Sequence, residues 1–252
     1  MSTLHKTRFL MNFNHDKIIN NEIIVCQPID GFRFSSDSIY LAWFANLTKS
    51  LKIVDIGSGS GIISALLTIF GSSNIIDAVE LQPEMFTCLN KTIQFSGLED
   101  SISPINADIK TFEPEYKYDI AICNPPYKKL GTGREPKNKI DLNARFTTTM
   151  SVDDVFSFCK SYLTNSGKLF LSYDAEMVAD LFEAGLKYGF EPKRLMPICN
   201  DLGMKPKILL MEFRKGAGRE MIFEPPLFQN INGVQTELDK NIMQGKWIEP
   251  TN

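Results

Sequence analysis

Two rhythms of apolar residues alternate along this chain. Nearly continuous apolar runs at 51–56, 75–80, 101–105, 118–123 and 168–173 have the length and composition of buried strands. Between them, apolar residues recur at helical spacing over 62–70, 151–163 and 175–188. A further helix is opened by Pro83 and closed by Gly97, residues that favour those two ends. Asp153 and Asp154 fall in the first turn of the 151–163 helix, where the helix dipole favours acids. Runs around 196–199 and 208–213 bring the strands to seven. Alternating strands and helices build a mainly parallel sheet covered on both faces. The prediction is therefore an α/β, Rossmann-like fold with a mainly parallel seven-stranded sheet.

Ahead of this alternation the pattern is weaker. Residues 1–16 are polar and read as irregular, and 18–25 as two short strands around Asn20-Asn21. After Ser35-Ser36-Asp37, apolar residues at Ile39, Leu41, Ala42, Phe44, Ala45 and Leu47 predict a helix capped by Ser35 or Ser36. No repeat or long linker interrupts the chain. The expected organisation is an N-terminal extension (1–50) packed on one globular unit (51–252).

With 252 residues, 43% of them hydrophobic and 23% charged, the chain has an ordinary globular composition. Its five cysteines are odd in number and widely spaced, which reads as reduced thiols in a cytoplasmic protein without a metal. No segment has the length of a membrane span, and no obligate protein partner is evident. The net charge of −3 excludes a protein coated with positive charge, but not a local basic patch.

The first candidate chemistry lies in Val54-Asp55-Ile56-Gly57-Ser58-Gly59-Ser60-Gly61, between the 51–56 strand and the 62–70 helix. Ligands of doubly wound sheets bind beyond the carboxyl ends of the strands, where such a turn sits. A dinucleotide fingerprint places glycines first, third and sixth around a pyrophosphate. Here the glycines fall at 57, 59 and 61 and the sixth position is Ile62, which suits a cofactor without a pyrophosphate. Glu80, at the end of the 75–80 strand, is an acceptor-only carboxylate suited to two ribose hydroxyls. Asp108, after the 101–105 strand, suits an adenine amino group, with Leu81 and Ile109 over the ring faces. Asp55 would fix the turn, and its charge favours a cationic sulfonium nearby.

The second is Asn124-Pro125-Pro126-Tyr127, which closes the 118–123 strand. The amine of adenine is a poor nucleophile because its lone pair is delocalised into the ring. The Asn124 side-chain oxygen and the Pro125 carbonyl can accept its two N–H groups and orient the nitrogen. Pro125 and Pro126 hold the backbone, and Tyr127 offers a stacking face worth about 1–3 kcal/mol per base. Together the two motifs point to S-adenosylmethionine as the methyl donor.

On these residues the chain resembles the class I S-adenosylmethionine-dependent amino-methyltransferases. Among them it is similar to the bacterial N6-adenine methyltransferases that modify position 37 of valine tRNA. The resemblance rests on the segment from Asp37 to Trp43, Asp55 to Gly61, Ala78-Val79-Glu80-Leu81, Ala107-Asp108-Ile109, Asn124 to Tyr127, Ala144-Arg145-Phe146 and Pro225-Pro226-Leu227. Ser36-Asp37-Ser38 departs from the Thr-Asp-Gly-like turn that it leads one to expect. The resemblance implies catalysis at Asn124, Pro125, Pro126 and Tyr127. It implies cofactor contacts at Asp37, Asp55, Gly57, Ser58, Gly59, Gly61, Glu80, Leu81, Asp108, Ile109 and Asn124. A basic loop from Lys128 to Arg145 carries six cations and two acids, so Lys128, Lys129, Arg134 and Arg145 are expected to contact tRNA. Lys205-Pro206-Lys207 and Arg214-Lys215 are candidates to extend that patch. Three other readings stay open: transfer to a glutamine amide in a protein, transfer to a guanine amine in ribosomal RNA, and a nucleotide-binding regulator that transfers nothing.

Overall fold

The computed structural model describes residues 13–19, 22–29, 33–47, 51–70, 75–125 and 150–246. Its centre is a sheet in which the alternating segments take their expected places. Strands β3 (Lys52–Ile56), β4 (Ile75–Glu80), β5 (Ile102–Asn106), β6 (Tyr118–Cys123) and β7 (Leu163–Asp174) run parallel in the order β5-β4-β3-β6-β7. The order reverses at β3, which receives β4 on one side and β6 on the other. The chain leaves β3 into the glycine turn and leaves β6 into Asn124, so both motifs meet at the carboxyl ends of adjacent strands.

Strand β9 (Ile208–Lys215) runs antiparallel to β7, and β8 (Phe190–Asp201) antiparallel to β9, completing the seven expected strands. Three short strands extend that edge: β10 (Ile222–Phe223) and β11 (Leu227–Ile231) beside β8, and β12 (Val234–Gln235) outermost. Ten strands thus share the sheet among the described residues, against an expected seven. The three additions were missed because two of them span only two residues and alternate with Pro225-Pro226 and Asn232-Gly233.

Helices cover both faces. On one lie α1 (Ser36–Ala45), α2 (Ile62–Phe70) and α3 (Pro83–Ser96), packed with Ile53, Ile120, Ile122 and Phe170. On the other lie α4 (Val152–Tyr162) and α5 (Val178–Lys187), packed with Val54, Ile56, Ala121, Leu169 and Leu171. Alternate residues of each strand therefore serve opposite cores, as the pleat requires. Gly97 caps α3 at φ 64°, and Ser151 and Asp154 form a reciprocal capping box on α4. Ser35 does occupy the cap position of α1, but its hydroxyl donates to Asp37 Oδ2 at 2.9 Å and accepts from no amide of the helix.

The N-terminal region is more ordered than its composition implies. The two strands expected around Asn20-Asn21 are β1 (Phe13–Ile18), which begins within the stretch read as irregular, and β2 (Ile23–Pro28), its antiparallel partner. The hairpin is fastened to α3 by Ser96 and Thr92, whose hydroxyls accept from the amides of Ile24 and Cys26 at 3.0 Å each. A short α6 (Glu237–Met243) ends the described chain, bonded to α1 where Tyr40 donates its hydroxyl to Asp239. All five cysteines are buried and unpaired, and no helix among the described residues is long and apolar enough to cross a membrane.

Candidate active site

Beyond the carboxyl ends of β3 and β6 lies a cleft of about 340 Å³, counting its space open to solvent. Its wall on the β3 side is Gly57, Ser58, Gly59, Ser60, Ile62 and Ile63, faced by Met85. Asn124 forms the wall on the β6 side, joined by Phe34 and Ser38 from the start of α1. The two sequence motifs therefore open on one space.

The turn has the backbone that its glycines permit. Gly59 has φ 58° and Gly61 φ 82°, in the left-handed region that side chains avoid. A Cβ on Gly61 would come within 2.6 Å of Leu89 Cδ1, so this glycine also lets α3 close against the turn. Gly57 and Ser58 donate their amides to the Val79 carbonyl at 2.9 and 3.0 Å, tying the turn to β4.

Beneath the turn the charges are all of one sign. Asp55 is completely buried; Oδ2 accepts from Ser64 Oγ at 2.7 Å, while Oδ1 has no hydrogen-bond partner. Burial pushes its pKa up to about 7, opposed by the Ser64 bonds and reinforced by the Glu80 carboxylate. Glu80 is 5% exposed, and it accepts from the Gly59 amide at 2.8 Å and from Gln82 N at 2.7 Å. Burial raises its pKa as well. The Ser58 hydroxyl is a second buried polar atom without a partner. Two carboxylates below a glycine turn would repel a pyrophosphate and favour a cation. The residues present thus fit S-adenosylmethionine, whose sulfonium carries a positive charge.

Asn124 is held from two directions. Its Nδ2 donates to Ser38 Oγ at 2.9 Å, and its Oδ1 accepts from Ser172 Oγ at 2.5 Å. Neither serine was singled out from the sequence as part of the site, because each lies far along the chain from Asn124. Phe34 was missed for the same reason; its amide donates to the Oε1 of the buried Gln27 at 2.9 Å, which brings its ring to the cleft.

The remaining expected cofactor residues are not part of the cleft's lining. Gly61 donates its amide to Ser58 O at 2.9 Å within the turn. Asp37 is bonded to Ser35 and feels the charge of Lys207; burial holds its pKa above the usual range. Leu81 is 38% exposed, just after β4. Asp108 folds its own loop, Oδ1 accepting from Lys110 N at 3.0 Å and Oδ2 lying 3.5 Å from Lys110 Nζ. Ile109 is buried in the core with Val54 and Val79. Pro125 directly follows Asn124, whereas Pro126, Tyr127, Lys128, Lys129, Arg134 and Arg145 lie outside the described residues.

The two outlying basic pairs are at opposite ends of β9. Lys205 and Lys207 are exposed in the turn before β9, whose first residue pairs with Asp174 at the carboxyl end of β7. At the other end of β9, Arg214 pairs with Lys168, midway along β7. There Arg214 lies 3.5 Å from Glu212, and Lys215 Nζ donates to the carbonyls of Lys160 and Leu163 at 2.6 and 2.8 Å. Arg214 and Lys215 thus brace the fold away from the cleft, and do not extend a patch beside it.

The chain is similar to several known proteins. A model of the methyltransferase small domain matches residues 37–179. A tRNA1(Val) (adenine(37)-N6)-methyltransferase of Aliivibrio fischeri (strain MJ11) is 28% identical over 138 residues, which are 55% of this chain. The match spans 58% of that relative's own length, less than two thirds of it. A protein of the same name from Histophilus somni (strain 129Pt) is 30% identical over 73% of this chain and 77% of its own. Among solved structures, the predicted O-methyltransferase Atu636 of Agrobacterium tumefaciens has a TM-score of 0.68 over 84% of this chain and 98% of its own. At 18% identity it shows a common fold. Matched over more than half of its length, the chain belongs to the methyltransferase small domain family.

Proposed function

We propose that this protein transfers a methyl group from S-adenosylmethionine to the exocyclic N6 amine of an adenosine in tRNA, at position 37 of the anticodon loop of valine tRNA. The observation that carries the reading is the shared cleft: Asn124 faces the same space as a glycine turn underlain by two carboxylates. The names of the relatives supply the RNA and the position.

In this reading Gly57 to Gly61 hold the donor, Glu80 takes its ribose hydroxyls, and Asp108, Leu81 and Ile109 flank its adenine. Both oxygens of Glu80 already accept one amide each, and a carboxylate has lone pairs left for hydroxyls. The donor supplies a methyl group activated by a positively charged sulfur. Asn124 Oδ1 and the Pro125 carbonyl accept the two N–H groups of the target amine, which fixes the nitrogen's approach and stabilises the positive charge it acquires. Tyr127 stacks on the base, which must leave its own stack to enter. Lys128, Lys129, Arg134 and Arg145 take the phosphates around it. tRNA is the partner, met in the cytoplasm.

The test is transfer from labelled cofactor to total tRNA lacking the modification, followed by nucleoside analysis. Label in N6-methyladenosine of valine tRNA is the expected result. Label in methylguanosine, or in glutamine of a co-incubated protein, would overturn the choice of acceptor.

A further inference from the structure

The register of two neighbouring strands brings a hydroxyl to the amide of Asn124. Ile122 on β6 pairs with Phe170 on β7, both facing the α1 side of the sheet. Two residues further along each parallel strand, on the same face, stand Asn124 and Ser172. Ser172 is completely buried in an otherwise apolar stretch of β7, Leu169 to Tyr173, and donates to Asn124 Oδ1 at 2.5 Å. From the opposite side Ser38, 4% exposed in the first turn of α1, accepts from Asn124 Nδ2 at 2.9 Å. Buried hydroxyls in apolar settings are costly unless bonded, so these positions have a reason to be serine.

We propose that Ser38 and Ser172 are positioning residues that hold the carboxamide of Asn124 in one plane, with Oδ1 toward β7 and Nδ2 toward α1. The inference rests on the reading of Asn124 as the acceptor of the target amine. The terminal torsion of an asparagine is broad and roughly two-fold. One state presents oxygen to a given neighbour and the other presents NH2, yet only oxygen can accept an N–H from the target. A hydroxyl on β7 donating to Oδ1 and a second on α1 accepting from Nδ2 fix the amide plane before any substrate arrives. The Nδ2 bond also polarises the amide and strengthens Oδ1 as an acceptor, which still has a lone pair for the target. Ser38 stands where the resemblance leads one to expect glycine, so this chain supplies a partner that glycine lacks.

Two measurements on the full-length protein test this. In the apo protein, the side-chain NH2 signal of Asn124 is assigned by its loss in Asn124→Asp. Ser38→Ala and Ser38→Gly should shift that signal and speed its solvent exchange about tenfold. In single-turnover transfer to unmodified tRNA, Ser172→Ala should slow the step about 10- to 100-fold, as a displaced reacting group does. Cofactor affinity and RNA affinity should stay within about threefold, and the melting temperature near that of the wild type. An unchanged NH2 signal in the Ser38 variants, or an unchanged rate in Ser172→Ala, overturns the proposal. A rate that falls in step with cofactor affinity and melting temperature also overturns it, since the serines would then only support the fold. If the wild-type chain transfers nothing to adenine, the proposed function fails, while the NH2 signal still decides whether the two serines hold the amide.

Discussion

The two sides of the cleft treat buried polar groups in opposite ways. On the β3 side Asp55 is fully buried with one oxygen unbonded, Glu80 adds a second carboxylate, and the Ser58 hydroxyl has no partner. On the β6 side both ends of the Asn124 amide are bonded, one at 2.9 Å and the other at 2.5 Å. An unsatisfied buried polar group costs about 1–3 kcal/mol, and a buried carboxylate more. The first side therefore carries a cost that, in the proposed reading, a cationic cofactor and its hydroxyls offset on binding. The second side is finished in advance, as a group that orients a weak nucleophile should be.

Breaking the finished side should have the largest effect. Asn124→Ala is expected to lower methyl transfer by about a thousandfold or more while cofactor affinity, read by calorimetry, changes less than about threefold. Gly61→Ala strikes the other side alone. With φ 82° and Leu89 Cδ1 within 2.6 Å of the added carbon, it should cost about 2–3 kcal/mol in denaturant unfolding and leave the Asn124 NH2 signal in place.

Asp55→Asn sharpens the contrast because it should act on stability and binding in opposite directions. The folded protein holds the Asp55 proton up to about pH 7, whereas the unfolded chain releases it near 3.8. Between these values the folded state binds more protons, so stability falls as pH rises and the penalty is complete above about 7. Asn removes that slope: melting temperature at pH 8 should rise, and its dependence between pH 4 and 7 should flatten. The same change should weaken the cationic cofactor about tenfold at pH 8 and its neutral-sulfur product much less. An equal loss for both would show that the charge is not what the cofactor feels. The smallest effect concerns the basic pairs. Lys205→Ala and Lys207→Ala should each weaken tRNA binding about two- to threefold and reduce its salt dependence, while Arg214→Ala should leave both unchanged.

What the sequence made legible follows from how local each signal is. Helix α2 and strands β4 and β6 have the expected bounds because period, length and flanking glycines or prolines agree within each segment. Of the hairpin expected around Asn20-Asn21, the start of β1 was hidden because Asn14, His15 and Lys17 face solvent, leaving no apolar period to read. The glycine turn and Asn124 were visible since each is a contiguous word. Ser38 and Ser172 were not, standing 86 and 48 residues from the side chain they hold. A lone serine in an apolar run carries no sign of its partner, and only the register of β6 on β7 and the seating of α1 supply it. The basic pairs teach the same lesson in reverse: Arg214-Lys215 and Lys205-Pro206-Lys207 look alike as text, and the antiparallel course of β9 sends them to opposite ends.

The bond from Tyr40 to Asp239 joins residues 199 positions apart, and Gln229 donates to the same hydroxyl at 2.8 Å. The helix that carries Ser38 is thus braced by residues 189 and 199 positions further along the chain. A nascent chain can close its glycine turn once α3 has emerged, but the brace on α1 waits until Gln229 and Asp239 have emerged. Removing the stretch from Gln229 to Asp239, which touches neither motif, would loosen the helix on which Ser38 stands.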